Sequence, residues 1–363
     1  MLKVMEDMRL RLGRRRRKRF IGIEITSATI KLIELSRGKE GVRVDSYSVR
    51  PVREGSVVER RIQDSIDVSN VLQDVVRAAK PKTRRAAVVI PSQGTITKTL
   101  NYPVSLTNDE IFARLETMPD GEMPFPMSEV AFDFQRLGAP DGRMDRDEVL
   151  VVACRRQNVN ERAQVLREAG LEPEVADVET YAMERAYRWL ASGIEGFSYQ
   201  NEGAALIDIG ARLTGFHALV GGRSLYNREI FLGGADLTDR IAKQFGLSVS
   251  EAGFGKRRGG LPDTYENLVL GPFIDELCDQ VIRSLQLYAT VNHRVELSRI
   301  ILAGGSCVIP GLVEKLSDVT GLPVTIADPF TGMVINESRV DVDALREDGP
   351  AMLTAAGLAM KGV

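Results

Sequence analysis

The sequence predicts an α/β protein whose chain contains two related halves. Apolar segments of strand length alternate with amphipathic segments of helical periodicity along most of the 363 residues, which is typical of α/β folds. Two segments, "FIGIEITSATIKLIEL" and "AALIDIGARLTGFHAL", share one order: an apolar strand, an acidic residue, a short polar turn and a second apolar strand. Because their acids, Glu24 and Asp208, lie about half of the chain length apart, the pattern predicts an internal duplication at the scale of a lobe.

Composition limits the class of protein before any motif is considered. A chain of 363 residues with 44% hydrophobic residues is long enough for two or more packed domains. Its net charge of −2 argues against a body that binds nucleic acid in general. Cys154, Cys278 and Cys307 are widely spaced, so we expect reduced, mostly buried thiols in a cytosolic protein. No apolar run is long enough for a membrane span, and we expect no secretory signal.

One short segment departs from the balanced charge. Residues Arg9 to Phe20, "RLRLGRRRRKRF", carry eight basic side chains. Such a run is either a solvated, disordered arm or an electrostatic attachment to an anionic membrane surface, with the apolar residues of positions 1–8 as weak anchors. Binding of nucleic acid is a third alternative, which the charge of the whole chain does not favour.

In the first half of the chain, the sequence predicts that strands and helices alternate after the opening hairpin. A helix is expected around Val68–Ala79, ended by "KPK", and strands are expected at "AAVVIP" and "TITKTLNYP". A second helix begins with Thr107 as N-cap and Glu110 three residues later, which is the pattern of a capping box. The strands "VAFDFQRL" and "DEVLVVACRR" follow, and the second is apolar enough to be central in a sheet. Two amphipathic helices, closed by Gly170 and Gly193, complete this half.

The second half opens on the hairpin that contains Asp208 and later reaches "RIILAGGSCVIPGL". There a buried strand ends in Ala-Gly-Gly-Ser, and we expect a helix to begin near Pro310, because proline suits a first helical turn. Paired glycines let a backbone approach a ligand, and a helix N-terminus beside them offers N–H groups. The alternative is a tight strand–helix turn that binds no ligand.

We expect the three turns to act together on one ligand. Two hairpin turns that face each other across a cleft can clamp a polyphosphate through backbone N–H groups, and the Gly-Gly turn can then face the nucleoside. A carboxylate inside a strand, such as Glu24, is costly to bury unless a cation compensates it. We expect that cation to be either a bound Mg²⁺ or Lys31, seven residues further on.

These segments resemble the superfamily of actin, Hsp70 and FtsA, and most closely the PilM family of type IV pilus assembly. The resemblance covers nearly the whole chain from about Phe20. The segments that carry it are "IGIEITSATIKLIEL", "MPFPMSEVAFDFQRLG", "VLVVACRRQNVNERAQVLREAGLEPEVADVETYAMERAY", "ALIDIGARLTGF", "EIFLGGADLTDRIAKQFGLSVSEA", "ILAGGSCVIPGL" and "AMLTAAGLAM". Of these, "PFPMSEVAFDFQ" and "VADVETYAMERA" are more specific to the family than the phosphate loops are.

The resemblance implies an actin-like ATPase fold with duplicated, ribonuclease-H-like lobes and an FtsA-like inserted small subdomain. The expected divisions are a basic arm over 1–19, a first lobe over 20–200 with its insertion at about 81–160, a second lobe over 201–345 with a smaller subdomain at about 235–295, and a C-terminal helix over 346–363 that returns to the first lobe.

The resemblance also implies a nucleotide, ATP or ADP with Mg²⁺, in the central cleft. Asp208 and Glu179 are the expected catalytic residues: Asp208 belongs to the second phosphate loop, and Glu179 matches the acid that helps to order the metal and the attacking water. Glu24 and Asp208 are expected to hold Mg²⁺ through water. The residues that match nucleotide-contacting positions are Ser27, Ala28, Thr29, Lys31, Asp208, Gly210, Ala211, Arg212, Gly233, Gly234, Lys256, Gly304, Gly305, Ser306 and Ile309.

Three departures from the family pattern predict weak binding or weak hydrolysis of the nucleotide. The first loop usually reads Asp-Ile-Gly, whereas this chain has Glu24-Ile25-Thr26. The longer Glu24 crowds the metal position, and the β-branched Thr26 replaces a glycine that permits close backbone approach. Gly253 stands where the family often has a glutamate near the adenosine.

Several of these residues have a purely structural interpretation as well. Lys31 can serve in a salt bridge on a strand, and Glu179 can stabilise the N-terminus of a helix without any catalysis. We expect His217, Tyr187 and Trp189 to be packed side chains rather than ligand contacts.

The resemblance implies a cytoplasmic scaffold, peripheral to the inner membrane, that docks the N-terminal tail of PilN, an inner-membrane protein that pairs with PilO. It also implies a link to the pilus motor ATPases. The tail is expected to add a strand to an edge of the inserted subdomain, or to lie between it and the main lobe. The alternatives are an active ATPase or sugar kinase and an FtsA-like filament-forming, membrane-associated protein. No substrate-site base supports a kinase, and we expect no FtsA-like amphipathic membrane helix beyond "GLAMKGV".

Overall fold

A computed structural model describes residues 19–119, 125–139, 145–291 and 295–363. The chain divides into two compact units. Unit 1 consists of Met1–Ala182, Val334–Val340 and Thr354–Val363, and unit 2 consists of Met183–Met333 and Asp341–Leu353. The predicted basic arm lies outside the described residues, apart from Arg19. Among the described residues, no helix is both long enough and apolar enough to cross a membrane.

Strands and helices alternate through the first part of the chain, and every element predicted there is present. α1 begins earlier than predicted, because the side chain of Asp64 caps it by accepting a hydrogen bond from the N–H of Asp67 at 3.0 Å. The elements are β1 (Ile21–Ile25), β2 (Thr29–Gly38), β3 (Gly41–Pro51), β4 (Val57–Val58), β5 (Arg61–Ile62), α1 (Ser65–Ala79), β6 (Arg85–Ile90), β7 (Thr95–Pro103), α2 (Asn108–Glu116), a 3₁₀ turn (Met127–Glu129), β8 (Val130–Gly138), β9 (Arg146–Arg155), α3 (Arg156–Glu168), β10 (Glu172–Val178) and α4 (Glu179–Ser192).

The second part contains the other strands and helices. Here α8 begins two residues after Pro310, so this proline precedes the N-cap residue Gly311 and does not lie in the first helical turn as predicted. The elements are β11 (Gly203–Ile209), β12 (Thr214–Val220), β13 (Arg223–Ile230), α5 (Gly234–Phe245), α6 (Val249–Arg258), a π-helical turn (Glu266–Leu270), α7 (Gly271–Val291), β14 (Leu297–Ala303), α8 (Leu312–Thr320), β15 (Val324–Ile326), β16 (Val334–Ile335), α9 (Val342–Asp348), α10 (Leu353–Ala359) and 3₁₀ turns at Gly349–Met352 and Met360–Gly362.

Unit 1 is built on a six-stranded sheet in the order β10–β6–β1–β2–β3–β16. β2 is antiparallel to β1 and to β3, whereas β6 runs parallel to β1 and to β10. On one face, the isoleucines of β1 pack against Val68 and Leu72 of α1 and Leu166 of α3. In each of these two helices the spacing of the apolar residues gives one apolar side, and that side packs against the sheet.

An inserted subdomain lies between β6 and α3 in the chain. Its three-stranded sheet has the order β7–β9–β8, so β9 is central as predicted. α2 covers one face with Ile111 and Leu115, which pack against β9. The predicted capping box at Thr107 and Glu110 is confirmed, with bonds of 2.7 and 3.2 Å. The range 81–160 expected for this subdomain also includes β6, which pairs in the six-stranded sheet.

Unit 2 is built on a five-stranded sheet in the order β13–β12–β11–β14–β15. β12 is antiparallel to β11 and to β13, and β14 runs parallel to β11 and to β15. Its core joins this sheet to α5 and α7 through residues such as Ile207, Phe216, Leu237 and Phe273.

The two sheets confirm the predicted duplication. In chain order, the first five strands of the unit 1 sheet are β1, β2, β3, β6 and β10, and those of the unit 2 sheet are β11 to β15. In space, both sets have the order third, second, first, fourth, fifth. In both, the first three strands form an antiparallel meander and the last two run parallel to the first. The common topology places the Glu24 turn and the Asp208 turn at equivalent positions of the two units.

The end of the chain packs into unit 1. Leu358 of α10 shares a small core cluster with Phe20, Val89 and Ala182. Gly357 lies so close to the backbone of Ala182 that a Cβ at 357 would be 2.6 Å from the carbonyl carbon of Ala182. Helices α10 and α4 therefore touch backbone to backbone at this point.

Several expectations about single residues are confirmed. Cys154, Cys278 and Cys307 are free and buried. His217 lies on β12 at 8% exposure, and Tyr187 of α4 is fully buried. Trp189 donates a hydrogen bond from its indole N–H to the carbonyl oxygen of Thr331 at 3.1 Å. His217 and Tyr187 are therefore packed side chains, as the sequence predicted, whereas Trp189 is half-buried.

Candidate functional site

The pairing of β1 with β2 explains how Glu24 is accommodated inside a strand. Glu24 and Lys31 are opposite each other in the register of the two strands, and both are buried, at 5% and 8% exposure. Lys31 Nζ donates a hydrogen bond to Glu24 Oε2 at 3.2 Å. Lys31, one of the two compensating cations that the sequence predicted, therefore lies beside Glu24.

Thr26 closes the turn between β1 and β2 with its own side chain. The N–H groups of Ala28 and Thr29 donate to Thr26 Oγ1 at 3.3 and 3.0 Å, and this hydroxyl donates to the carbonyl oxygen of Thr29 at 2.9 Å. Together with half-buried Ser27, these are the positions that the resemblance assigns to phosphate. Two of their N–H groups are thus already satisfied within the chain.

The turn between β11 and β12 has the same backbone hydrogen bond but carries no such cap. The N–H of Gly210 donates to the carbonyl oxygen of Leu213 at 2.9 Å, and the N–H of Thr26 makes the equivalent bond to Thr29 at 3.0 Å. Glycine offers no hydroxyl, and the N–H groups of Ala211 and Leu213 donate to no described residue. N–H groups of a turn that remain open in this way form a favourable environment for an anion.

The Gly-Gly-Ser turn after β14 packs against the end of β11. Gly304 has φ +89°, and a Cβ there would collide with Asp208 Oδ1 and lie 2.6 Å from the carbonyl carbon of Ile209. Only glycine fits, because other residues are strained at this φ and the space is occupied. The N–H of Ser306 donates to the carbonyl oxygen of Ile209 at 3.0 Å.

The other members of this turn differ in exposure. Gly305 is exposed, and no described residue accepts a hydrogen bond from its N–H. Ile309 is buried in the core of unit 2, so its side chain contributes packing there. Burial, and then the charge of Asp208, raise the pKa of the Cys307 thiol to about 12, which leaves this thiol protonated at neutral pH.

The glycine pair before α5 joins the same group of loops. The N–H of Gly234 donates to the carbonyl oxygen of Gly210 at 3.0 Å, and the N–H of Ala235 donates to that of Ala211 at 2.7 Å. The N–H of Gly233 donates to Asp236 Oδ2 at 2.8 Å. A Cβ at Gly234 would lie 2.9 Å from Ser306 Cβ. Unit 2 therefore brings residues 208–212, 233–235 and 304–306 together.

Lys256 reaches this group of loops from α6. Its Nζ donates to the carbonyl oxygen of Gly234 at 2.5 Å and to Thr238 Oγ1 at 2.7 Å. Burial, and then the charge of Arg257, lower the pKa of Lys256 to about 8. Arg212, in the β11–β12 turn, is exposed and pairs with Asp239. The sequence did not indicate Thr238, because its contact depends on how α5 and α6 pack.

Glu179 is the first residue of α4, in unit 1, and its carboxylate is paired with a basic side chain. It forms an ion pair with Arg60 and accepts a hydrogen bond from the N–H of Ser92 at 3.3 Å. Arg60 lies in the β4–β5 turn, and its carbonyl oxygen accepts a bond from buried Arg162 at 2.7 Å. No sequence pattern indicated Arg60, since it lies 119 residues from Glu179 in the chain.

A metal site built from protein side chains is not found in the described part of the chain. No group of three or more His, Cys, Asp or Glu side chains there is arranged to hold a metal ion. Glu24 is paired with Lys31, and Asp208 packs over Gly304. The water-mediated Mg²⁺ site of Glu24 and Asp208 stays a prediction.

Comparisons with known proteins add an independent line of evidence. Residues 22–363 match the family described as type IV pilus assembly protein PilM. A solved PilM–PilN type IV pilus biogenesis complex is similar to this chain, with a TM-score of 0.78 and 26% identity over 96% of this chain and 99% of that chain. The ethanolamine utilization protein EutJ from Carboxydothermus hydrogenoformans is similar in fold, with a TM-score of 0.56 and 16% identity over 99% and 94% of the two chains.

The topology and the comparisons agree. The duplicated sheets and the inserted three-stranded subdomain form an actin-like fold, as the sequence predicted. The family match extends over the two units and the insertion, so it is not limited to the turns that follow Glu24 and Asp208. The chain belongs to the PilM family of type IV pilus assembly proteins.

Proposed function

We propose that this protein is a nucleotide-binding scaffold of the type IV pilus inner-membrane assembly platform that docks the N-terminal tail of PilN. Membership in the PilM family supports the role in pilus assembly. The observation that carries the nucleotide part is the meeting of residues 208–212, 233–235 and 304–306 in unit 2, where N–H groups of two turns donate to no described residue.

The residues of unit 2 fit a nucleotide in their chemistry. A bound ATP or ADP supplies the negative phosphate charge that open N–H groups and nearby cations compensate. The N–H groups of Ala211 and Leu213, with Arg212, are proposed to bind phosphate. Gly304, Gly305 and Ser306 are proposed to line the nucleoside, with Lys256 beside them. Asp208 is proposed to orient Mg²⁺ through water.

Two ion pairs in unit 1 support the proposal that ATP is hydrolysed slowly or not at all. The two unit 1 acids among those that the resemblance assigns to the metal and the attacking water are ion-paired with bases, Glu24 with Lys31 and Glu179 with Arg60. A carboxylate already engaged by a cation is a weaker metal ligand and a weaker base. We therefore propose that ATP serves as a bound state of the scaffold, while the alternative, an active ATPase, requires these pairs to open.

Titration calorimetry with ATP and Mg²⁺ tests the nucleotide proposal. We expect the wild-type protein to bind ATP with little phosphate release, and Asp208→Ala to weaken binding by about tenfold or more. The matched control is Asp263→Ala, which removes an exposed acid of unit 2 that forms no ion pair with any described residue and should bind like wild type. No binding by the wild-type protein at millimolar ATP would overturn the proposal and leave a pseudo-actin that acts through its partners alone.

The partner role is proposed from the family and from one exposed feature of unit 1. The similar solved structure is a complex of PilM with PilN. In the inserted subdomain, β7 and β8 are the two edge strands of the described sheet, and Thr97 on β7 and Gln135 on β8 are exposed. An extended tail can add to such an edge through backbone hydrogen bonds.

A peptide with the sequence of the cognate PilN tail tests this docking. We expect micromolar binding to the full chain in calorimetry and none with a scrambled peptide. Thr97→Lys and Gln135→Lys place the same charge on opposite edges, so the edge that receives the tail is the one whose variant weakens binding. Absence of binding to the wild-type chain would count against the scaffold role.

The location of the protein is part of the same proposal. Docking on an inner-membrane partner supports a cytoplasmic protein held at the inner membrane, where a link to the pilus motor ATPases is also proposed. The basic run Arg9–Arg19 is proposed to add electrostatic attraction to anionic lipid. Binding of PilN and attraction to lipid are separable, because the first needs a specific edge and the second needs only charge.

A further inference from the structure

The amino ends of the parallel strands of unit 1 meet at one edge of the sheet. Ile21 of β1 pairs with Ala86 of β6 in parallel register, so Arg19 and Arg84, two residues earlier in each strand, lie at the same level. Ile21 also pairs with Glu34 of β2, and β2 continues beyond that level to the β2–β3 turn. This turn therefore lies at the same edge, at the opposite end of β1 from Thr26.

This edge is strongly basic. At the amino ends of β1, β6 and β10 and in the β2–β3 turn, the exposed acids are Glu40 and Glu172. Arg167 and Glu168 at the end of α3 offset each other. Six exposed bases, which we call the basic edge, are Arg19, Arg37, Lys39, Lys80, Lys82 and Arg84. Four of them, Arg37, Lys39, Lys80 and Arg84, form no ion pair with any described residue.

Buried acids hold the loop that carries half of the basic edge. Glu34 is fully buried and accepts hydrogen bonds from the N–H groups of Lys82 and Thr83 at 2.9 and 3.2 Å. Asp45, also fully buried, lies 3.4 Å from Lys82 Nζ. The guanidinium of Arg339 donates to the carbonyl oxygen of Lys80. The bases at 80–84 are thus displayed on a fixed backbone.

We propose that the basic edge of unit 1 faces an anionic lipid surface. The proposal deepens the lipid attraction proposed above for Arg9–Arg19 and rests on it, because Arg19 is both the last base of that run and the first residue of the edge. The two groups of charge are continuous along the chain. Electrostatic attraction to anionic headgroups increases with each Lys or Arg near the surface, so a folded edge adds to the arm.

The chemistry of the edge favours lipid over nucleic acid. Single-stranded nucleic acid is held by exposed aromatic side chains on which bases stack. Phe20 is the only aromatic residue in the ranges 19–43 and 80–85, and it is buried with the guanidinium of Arg85 5.2 Å from the centre of its ring. The net charge of −2 also confines positive potential to local patches.

Vesicle sedimentation with the full chain tests the proposal. The variant replaces Arg37, Lys39, Lys80 and Arg84 by Gln, and leaves the Lys82–Asp45 pair intact. We expect its partition onto vesicles of phosphatidylcholine and phosphatidylglycerol to fall by about tenfold or more at low salt. The wild-type chain should leave pure phosphatidylcholine vesicles in solution, and salt should release it from the mixed vesicles. The matched control replaces four exposed bases outside the edge by Gln: Arg114, Arg146, Lys243 and Arg283.

The outcomes separate the edge from the arm. Loss of binding in the edge variant but not in the control, with unchanged circular dichroism, supports the proposal. If the edge variant binds vesicles like wild type while removal of residues 1–18 abolishes binding, the arm acts alone and the proposal is overturned. If neither change affects binding, both fail. If the edge variant lost affinity for a DNA duplex to the same extent, the basic edge would be a general site for polyanions, and this result would also overturn the lipid proposal.

Discussion

Replacing Gly357 by alanine is expected to lower the free energy of unfolding of unit 1 by about 3 kcal/mol. The added Cβ would collide with the carbonyl oxygen of Ala182 and lie 2.6 Å from its carbonyl carbon. Both obstructing atoms belong to the backbone of α4, so no side-chain rotation can relieve the contact. The helices α10 and α4 must separate, which opens the cluster around Leu358 and Phe20.

Gly253 provides the matched control for this substitution. It also lies in a helix, α6, but a Cβ there meets only Thr238 Cγ2 at 3.7 Å and Arg257 Nη1 at 3.9 Å. Alanine is favoured over glycine by about 1 kcal/mol in either helix, so Gly253→Ala should match or exceed the wild-type stability. Thermal unfolding followed by circular dichroism makes the comparison. If Gly357→Ala melted at the wild-type temperature, α10 could not be packed on α4 as described.

Replacing Thr26 by glycine is expected to raise the affinity for ATP by about tenfold. The hydroxyl of Thr26 now accepts hydrogen bonds from the N–H groups of Ala28 and Thr29, which a phosphate oxygen would need. Glycine removes this internal acceptor and also the Cβ that restricts close approach. The equivalent residue of unit 2 is already glycine, Gly210, and its turn keeps the same backbone bond.

Two further variants separate the hydroxyl from the bulk of Thr26. Thr26→Ser keeps the hydroxyl and should behave like wild type, whereas Thr26→Val keeps the volume and loses the acceptor. In the absence of nucleotide, amide hydrogen exchange at Ala28 and Thr29 should be faster in the glycine and valine variants than in the wild type. Unchanged exchange would show that the cap does not exist in solution. Faster exchange with unchanged ATP affinity would show that this turn does not contact phosphate.

The elements and the duplication were predictable because they depend on short-range patterns. Strand alternation, helical periodicity and the Thr107–Glu110 capping box act within a few residues, and the structure confirms them. The repeated order of strand, acid and turn revealed the duplicated lobes without any knowledge of their packing. The pairing of Glu24 with Lys31 was also accessible, since the two residues belong to one hairpin.

What the tertiary structure alone decided depends on contacts between distant segments. The chain could indicate that Glu179 is an acid at the start of a helix, but the base that pairs with it, Arg60, comes from a turn 119 residues away. Gly253 and Gly357 look alike in the sequence, yet a Cβ at Gly253 would make only ordinary van der Waals contacts, whereas a Cβ at Gly357 would collide with the Ala182 backbone. The sequence by itself therefore determined the lobes, the turns and the family of this protein. Which acids are neutralised, which turn is capped and which glycine is indispensable were decided only by packing, because no local pattern records the partner of a residue that lies far away in the chain.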